Sequence, residues 1–158
     1  MKITWIQPYY DVLLNSVPLD TESLIDVGSG YGVFGYILSK ARDIKRLISI
    51  EPFDYSSEQY NEHHKMTWQE YYKTDPDPVD VIVSTEMIEH LERDDALLFL
   101  DQVKKKASTV IIATPYEFEE QAPYDDNQFQ VHRCLITPDD FTSRGYSISF
   151  MGSGNFPP

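Results

Sequence analysis

Cysteine is almost absent from this chain: one residue, Cys134, stands among 158. An internal disulfide is therefore excluded, and the composition is compatible with a reducing cytoplasm, the expected location. Long apolar runs are missing too. No stretch approaches the roughly 20 residues of a membrane-spanning helix, and Met1-Lys2-Ile3-Thr4-Trp5 lacks the layout of a secretory leader. Basic residues are scarce, 13 Lys and Arg against 26 Asp and Glu, for a formal net charge of −13. So acidic a chain is repelled by phosphate backbones unless it gathers cations on one face. Its one basic run, Lys104-Lys105-Lys106, closes a predicted helix that Asp94 and Asp95 open, where it complements the helix dipole. Nucleic acid is thus a disfavoured partner; a small or cationic ligand is not. Internal repeats and low-complexity tails are also lacking. What remains, 41% hydrophobic residues over a length suited to one core, reads as a single domain over residues 1–158.

Residues 24–32 read Leu-Ile-Asp-Val-Gly-Ser-Gly-Tyr-Gly, a buried strand that breaks into a tight turn with glycine at every second position. Val33, Phe34, Ile37, Leu38 and Ala41 then recur at helical spacing. Such glycines let the backbone pass close to a ligand, and a helix N-terminus attracts anions. Asp26 argues against phosphate, since its carboxylate would repel a pyrophosphate and attract a cation. A dinucleotide fingerprint also wants glycine where Val33 stands. S-adenosylmethionine, a nucleoside with a sulfonium and an ammonium, fits both facts. The bland alternative is a strand–turn–helix junction that binds nothing. A second β-branched run, Arg46-Leu47-Ile48-Ser49-Ile50, ends at Glu51-Pro52. Glu51 lies about 20 residues past the turn, where a mononucleotide-binding βαβ unit places the acid that accepts ribose hydroxyls.

With these residues in order, the chain resembles the class I S-adenosylmethionine-dependent methyltransferases along nearly its whole length. Asp26-Val27-Gly28-Ser29-Gly30-Tyr31-Gly32 is similar to that family's first motif, and Glu51 to its ribose-binding acid. Val79-Asp80-Val81-Ile82-Val83-Ser84-Thr85-Glu86-Met87-Ile88-Glu89-His90-Leu91 looks like its fourth strand and the segment after it, and Thr109–Pro115 like its fifth strand. The match is closest to the branch with the ubiquinone-biosynthesis O-methyltransferases and the small-RNA 2′-O-methyltransferases. The resemblance implies an α/β, Rossmann-like, doubly wound and mainly parallel sheet with helices on both faces. It implies cofactor contacts from Asp26, Gly28, Ser29, Gly30, Gly32, Glu51, Pro52 and Ser84. Trp68 and Gln69 sit where the family contacts adenine, without the usual acidic residue. No Asn-Pro-Pro-Tyr-like sequence follows the fourth strand, which disfavours methylation of nucleobase amines.

Around this frame, residues 1–20 hold an amphipathic helical segment over 8–17, with Tyr9 and Tyr10 near the cofactor mouth. Residues 56–64 read as a polar helix, Met66-Thr67-Trp68 as a short third strand, and His63-His64 as a solvated pair. Asp75-Pro76-Asp77-Pro78 is a loop, and residues 93–106 a helix packed on the sheet. The long connection over 115–137 is the substrate-side loop, because an unstructured span of that length in a compact domain is usually functional. Pro138-Asp139-Asp140-Phe141 starts a short helix that Gly145 stops, and Tyr146–Phe150 reads as a last strand. The family ends in a two-strand hairpin; only residues 152–158 stand for its second strand here, so the last strand is short or missing.

Glu86, Glu89 and His90 form the pattern Glu-x-x-Glu-His, which on a helix puts two carboxylates and an imidazole on one face. The long loop should carry His132 to the same edge. Two carboxylates and two imidazoles suit a divalent cation such as Mg²⁺, Mn²⁺ or Zn²⁺. In the small-RNA enzymes a matching set holds a metal on the substrate hydroxyls, and His132-Arg133-Cys134-Leu135-Ile136-Thr137 is similar to their later segment. Without metal, the same residues would serve as a base, orient the acceptor, or merely line the pocket. The leading expectation is a methyltransferase acting on a hydroxyl of a small molecule, with Glu86, Glu89, His90 and His132 around the acceptor. Its rivals are a metal-dependent 2′-O-methyltransferase acting on an RNA terminus, and a non-catalytic S-adenosylmethionine-binding subunit.

Overall fold

A computed structural model describes residues 7–55, 58–123 and 126–151. Five strands form one sheet in the order β3-β2-β1-β4-β5, and every pairing is parallel. The strands are β1 (Ser23–Val27), β2 (Arg46–Ile50), β3 (Glu62–His64), β4 (Val79–Thr85) and β5 (Ala107–Ala113). Parallel neighbours need crossovers, and these are helical: α2 (Val33–Ala41) joins β1 to β2, α3 (Trp68–Lys73) joins β3 to β4, and α4 (Arg93–Val103) joins β4 to β5. Helix α1 (Gln7–Ser16) precedes the sheet, and the short α5 (Pro138–Thr142) follows it. Among the described residues, no helix is long and apolar enough to cross a membrane.

Strand periodicity sorts the core into two layers. Leu24, Leu47, Val81 and Val83 pack with Leu13 of α1, Val17 just after it, and Phe34 and Leu38 of α2. Their neighbours Ile25, Ile48 and Ile82 face the other way, onto Trp68 and Tyr71 of α3 and Ala96, Phe99, Leu100 and Val103 of α4. Both faces of the sheet are therefore buried, which is why these strands read as nearly continuous apolar runs. Strand order reverses between β1 and β4. That switch opens a crevice beyond their carboxyl ends, where open α/β sheets bind ligands.

Several local expectations are corrected. The third strand is Glu62–His64, not Met66–Trp68, and residues 62–64 are not helical. Side chains decide both. Arg46 pairs with Glu62 (2.6 Å), Ser49 with His63 (2.6 Å), and the Asn61 side chain accepts the Leu47 N–H at 2.7 Å, so this segment is stitched to β2. Thr67 and Glu70 exchange hydrogen bonds in a capping box, which starts α3 at Trp68. His63 and His64 thus belong to the sheet; His64 lies half-buried against Tyr71. Helix α4 ends at Val103, before the lysines. Lys106 leaves to bind Asp75 at 2.6 Å, and Lys104 donates to the Arg144 carbonyl. Tyr146–Phe150 pairs with no strand among the described residues; Tyr146 instead donates its hydroxyl to the Leu100 carbonyl at 2.7 Å. Residues 152–158 lie outside the described residues.

Candidate active site

Two halves meet at the carboxyl edge. In the first, the turn after β1 carries Gly28 and Gly30 in left-handed backbone. A β-carbon at Gly28 would stand 2.3 Å from Cγ of Met87, so the glycine lets the segment after β4 close over the turn. Glu51, at the end of β2, is buried and holds this turn. Its Oε2 accepts the Gly30 N–H at 2.9 Å and its Oε1 the Phe53 N–H at 2.9 Å. Burial pushes the Glu51 carboxyl above its ordinary range, and the two N–H donors oppose that.

These residues open onto a cleft of about 400 Å³, within the range of small-molecule sites. Gly28, Gly30, Glu51, Pro52, Trp68 and Gln69 of the expected cofactor set line it, together with Glu86 and His90. Trp68 lines it although only 3% of the residue is exposed. Its ring belongs to the core, edge-on to Phe99, with its N–H donated to Gln102 at 2.8 Å. Asp26, Ser29, Gly32 and Ser84 do not line the cleft. Asp26 is buried behind the turn, where the Tyr60 hydroxyl donates to Oδ2 at 2.6 Å and Oδ1 has no protein partner. Burial outweighs the Tyr60 bond and raises the Asp26 carboxyl to about 7. Nothing in the spacing of residues 26 and 60 signals this pair; only the fold brings them together. Thr67, Met87, Arg133 and Phe129 also line the cleft and were not among the expected site residues.

The second half follows β4. Glu86 takes a positive φ of 50°, and only Ile88–His90 then makes a single 3₁₀ turn. The shared helical face expected for residues 86, 89 and 90 is therefore not what gathers them. A kink does it instead, pinned by the Glu86 N–H on the Ala113 carbonyl at 2.9 Å. The loop after β5 returns and ties its Arg133 and Cys134 N–H groups to the Glu89 carbonyl (2.8 and 3.2 Å). This places the His132 ring 4.8 Å from the His90 ring. One side-chain donor atom each of Glu89, His90 and His132 lies within 4.8 Å of the others. Glu86 stands outside this trio and engages helix α1, accepting the Tyr9 hydroxyl at 3.3 Å.

Protonation follows from burial. Glu89, 3% exposed, is pushed up to about 8 by desolvation and by the nearby Glu86 charge, against the Thr114 hydroxyl that donates to it at 3.0 Å. Glu86 is raised by burial as well. Desolvation lowers His90 from its ordinary value, so its imidazole is neutral near pH 7. The Nδ1 atoms of His90 and His132 sit 3.2 and 2.7 Å from the carbonyls of Val131 and Glu119. A carbonyl only accepts, which assigns a proton to Nδ1 of each ring; in the neutral His90 ring the basic atom is then Nε2. The neutral His90 imidazole can accept a proton, and the neutral Glu89 acid beside it can bind a cation by releasing its own.

The model of a methyltransferase domain matches residues 8–144. No curated protein matches the chain. Among solved structures, an S-adenosylmethionine-dependent methyltransferase from Archaeoglobus fulgidus superposes with a TM-score of 0.67 at 17% identity, covering 96% of this chain and 80% of that one. The magnesium protoporphyrin IX methyltransferase from Synechocystis PCC 6803 gives 0.58 at 13%, covering 93% and 70%. A cyclopropane synthase from Mycobacterium tuberculosis gives 0.53 at 18%; 64% of this chain matches about two fifths of that enzyme, 38%. These likenesses establish a Rossmann-like fold. With most of its length matched by the family model, the chain belongs to the methyltransferase-domain family.

Proposed function

We propose that the protein transfers a methyl group from S-adenosylmethionine to a hydroxyl of a small molecule. One observation carries this reading: a single cleft joins the glycine turn and Glu51 on one wall to Glu86 and His90 on the other. The first wall suits a nucleoside, with Glu51 free to accept ribose hydroxyls through its remaining lone pairs. Asp26 lies behind this wall, where its bond to Tyr60 supports the turn rather than touching the donor. The bound cofactor supplies an electrophilic methyl carbon on sulfur. The chain's own part is to align the acceptor and to take its proton at Nε2 of His90. The net charge of −13 favours a small acceptor over RNA.

Calorimetry with S-adenosylhomocysteine and with NAD tests the cofactor half. S-adenosylhomocysteine should bind and NAD should not; tighter NAD binding would overturn the reading. Replacing Glu51 with alanine should weaken S-adenosylhomocysteine binding by about 1–3 kcal/mol, because two ribose hydroxyls and the Gly30 N–H lose their acceptor. Unchanged affinity would remove Glu51 from the site.

A metal-assisted version is favoured by one specific feature, the trio of Glu89, His90 and His132. Both imidazoles are presented with Nδ1 on a backbone carbonyl, the arrangement that orients histidine ligands. A divalent cation held there would lower the pKa of an acceptor hydroxyl. Melting curves with Mg²⁺, Mn²⁺ or Zn²⁺ should then rise in the native protein and not in a His132→Ala variant. Equal curves for both proteins would leave the metal-free version.

A further inference from the structure

A second cleft, about 520 Å³, lies between α1, β5 and the chain over 146–151. Glu86 is the one described residue that lines both this cleft and the cofactor cleft. We propose that this second cleft holds the methyl acceptor and that the acceptor is an amphiphile, with an apolar body and an uncharged or cationic head lodged at Glu86. The inference rests on the methyl-transfer reading above and names its substrate class.

Chemistry of the walls sets that class. Val12, Leu13, Ile112, Phe141, Ile148 and Met151 line it beside the hydroxyls of Ser16, Thr114, Ser147 and Ser149. The lining is more apolar than polar, and no Lys, Arg or His lines it among the described residues. The only charged side chain is Glu86, at the end that meets the cofactor cleft and bonded there by the Tyr9 hydroxyl at 3.3 Å. A carboxylate at that end accepts a hydrogen bond from a hydroxyl or an ammonium and repels a phosphate or a carboxylate. Apolar walls of this extent are stabilised by an apolar body that displaces water from them. The junction also fits the reaction. A lone pair on the acceptor oxygen bonds to the methyl carbon while the carbon–sulfur bond breaks, its electrons staying on sulfur. The hydroxyl proton leaves to His90, which lines the neighbouring cleft. A freely diffusing polar acceptor would gain nothing from six apolar side chains, and an RNA terminus would meet a carboxylate with no cation to offset it.

The test uses the protein saturated with S-adenosylhomocysteine, titrated calorimetrically below micellar concentration with decyltrimethylammonium, decyl sulfate and tetramethylammonium. The decyl cation should bind at a single site at least tenfold more tightly than decyl sulfate, and the headgroup alone should not bind. Shortening the tail should weaken binding about two- to threefold per methylene removed, somewhat below the full-burial value for so open a cleft. Ile148→Asp should abolish decyl binding and leave S-adenosylhomocysteine affinity unchanged, since Ile148 lines only the second cleft. Glu86→Gln should erase the preference for the cation. Equal affinity for both heads, binding independent of tail length, or indifference to Ile148→Asp would each overturn the proposal. So would slow hydrogen exchange at the outward amides of β5 before any ligand is added, because an extended peptide would then already fill the cleft. If S-adenosylhomocysteine itself fails to bind, the methyl-transfer reading falls; if it binds and no decyl compound does, only the present inference falls.

Discussion

His90→Ala is expected to lower turnover by about a hundredfold or more, the usual scale for losing a general base, while S-adenosylhomocysteine affinity changes by no more than about threefold. The asymmetry follows from where the side chain sits. Its Nδ1 is committed to the Val131 carbonyl at 3.2 Å, so the atom available for chemistry is Nε2. Burial lowers the pKa of the ring, which keeps Nε2 unprotonated at neutral pH and able to take a proton from an acceptor hydroxyl. Glu51 and the glycine turn, which hold the opposite wall of the cleft, do not touch this ring. A loss confined to turnover therefore marks a group that acts on the acceptor. The pH profile gives a second reading: the native acidic limb should report the His90 titration, and it should vanish in the variant. Comparable losses in turnover and in cofactor affinity would instead assign His90 to holding the loop that carries Val131.

The second large effect is on stability, and it runs against the usual acid denaturation. Glu89 is raised to about 8 and Asp26 to about 7, both because burial disfavours the charged form. A carboxyl whose folded pKa lies above its unfolded value binds its proton more tightly in the folded state. Its contribution is complete below the unfolded value of about 4.5 and is lost as pH rises through the folded value. Without ligands, the protein should therefore melt highest near pH 5 and lose stability up to about pH 8. Glu89 alone should account for about 2–4 kcal/mol of that loss. Glu89→Gln replaces the buried acid by a neutral amide of the same shape. The variant should match the native protein near pH 5 and melt above it by several degrees at pH 8, since roughly 1 kcal/mol moves a domain of this size by about 3 °C. Carboxylates that are lowered instead, such as Asp80 on the Ser23 and Glu22 N–H groups, act below about pH 4 and leave this window alone. His90, lowered by burial, works in the opposite direction in this window, so the comparison with Glu89→Gln isolates the Glu89 part. A variant that melts no higher than the native protein at pH 8 would show that Glu89 is ionised in the folded protein.

What could be read in advance was what local physics dictates. The alternation of Leu24, Ile25, Leu47, Ile48, Val81 and Ile82 between two buried faces requires helices on both sides of the sheet, so strand runs and crossover helices fixed the fold class. Glycine is needed at 28, where left-handed backbone lies beneath Met87, and is favoured at 30 by the left-handed backbone alone, and Glu51 stands at a set distance from that turn along a βαβ unit. Local pattern failed where a side chain from elsewhere decided the matter. Residues 62–64 look polar enough for a helix, yet Arg46, Ser49 and Leu47 of the neighbouring strand hold them extended.

The same division runs through the site. Spacing named Glu86, Glu89 and His90, and the returning loop and the family resemblance added His132; for the first three, spacing supplied the wrong reason for their meeting, a helical face that the positive φ of Glu86 breaks. Tertiary structure decided the grouping instead. The Glu89 carbonyl captures the returning loop and sets His132 beside His90, while α1 draws Glu86 aside through Tyr9. It also decided charge. A sequence lists Asp26 and Glu89 as anions, and only burial among the packed strands and loops makes the neutral form of Glu89 the stable one near pH 7 and brings Asp26 close to its titration point there. Composition and periodicity are properties of neighbours along the chain, so they determined the sheet, the turn and the residue types at its edge. Proton affinities and cleft walls depend on groups as much as 77 residues apart, as Tyr9 and Glu86 are, and exist only once the chain has folded.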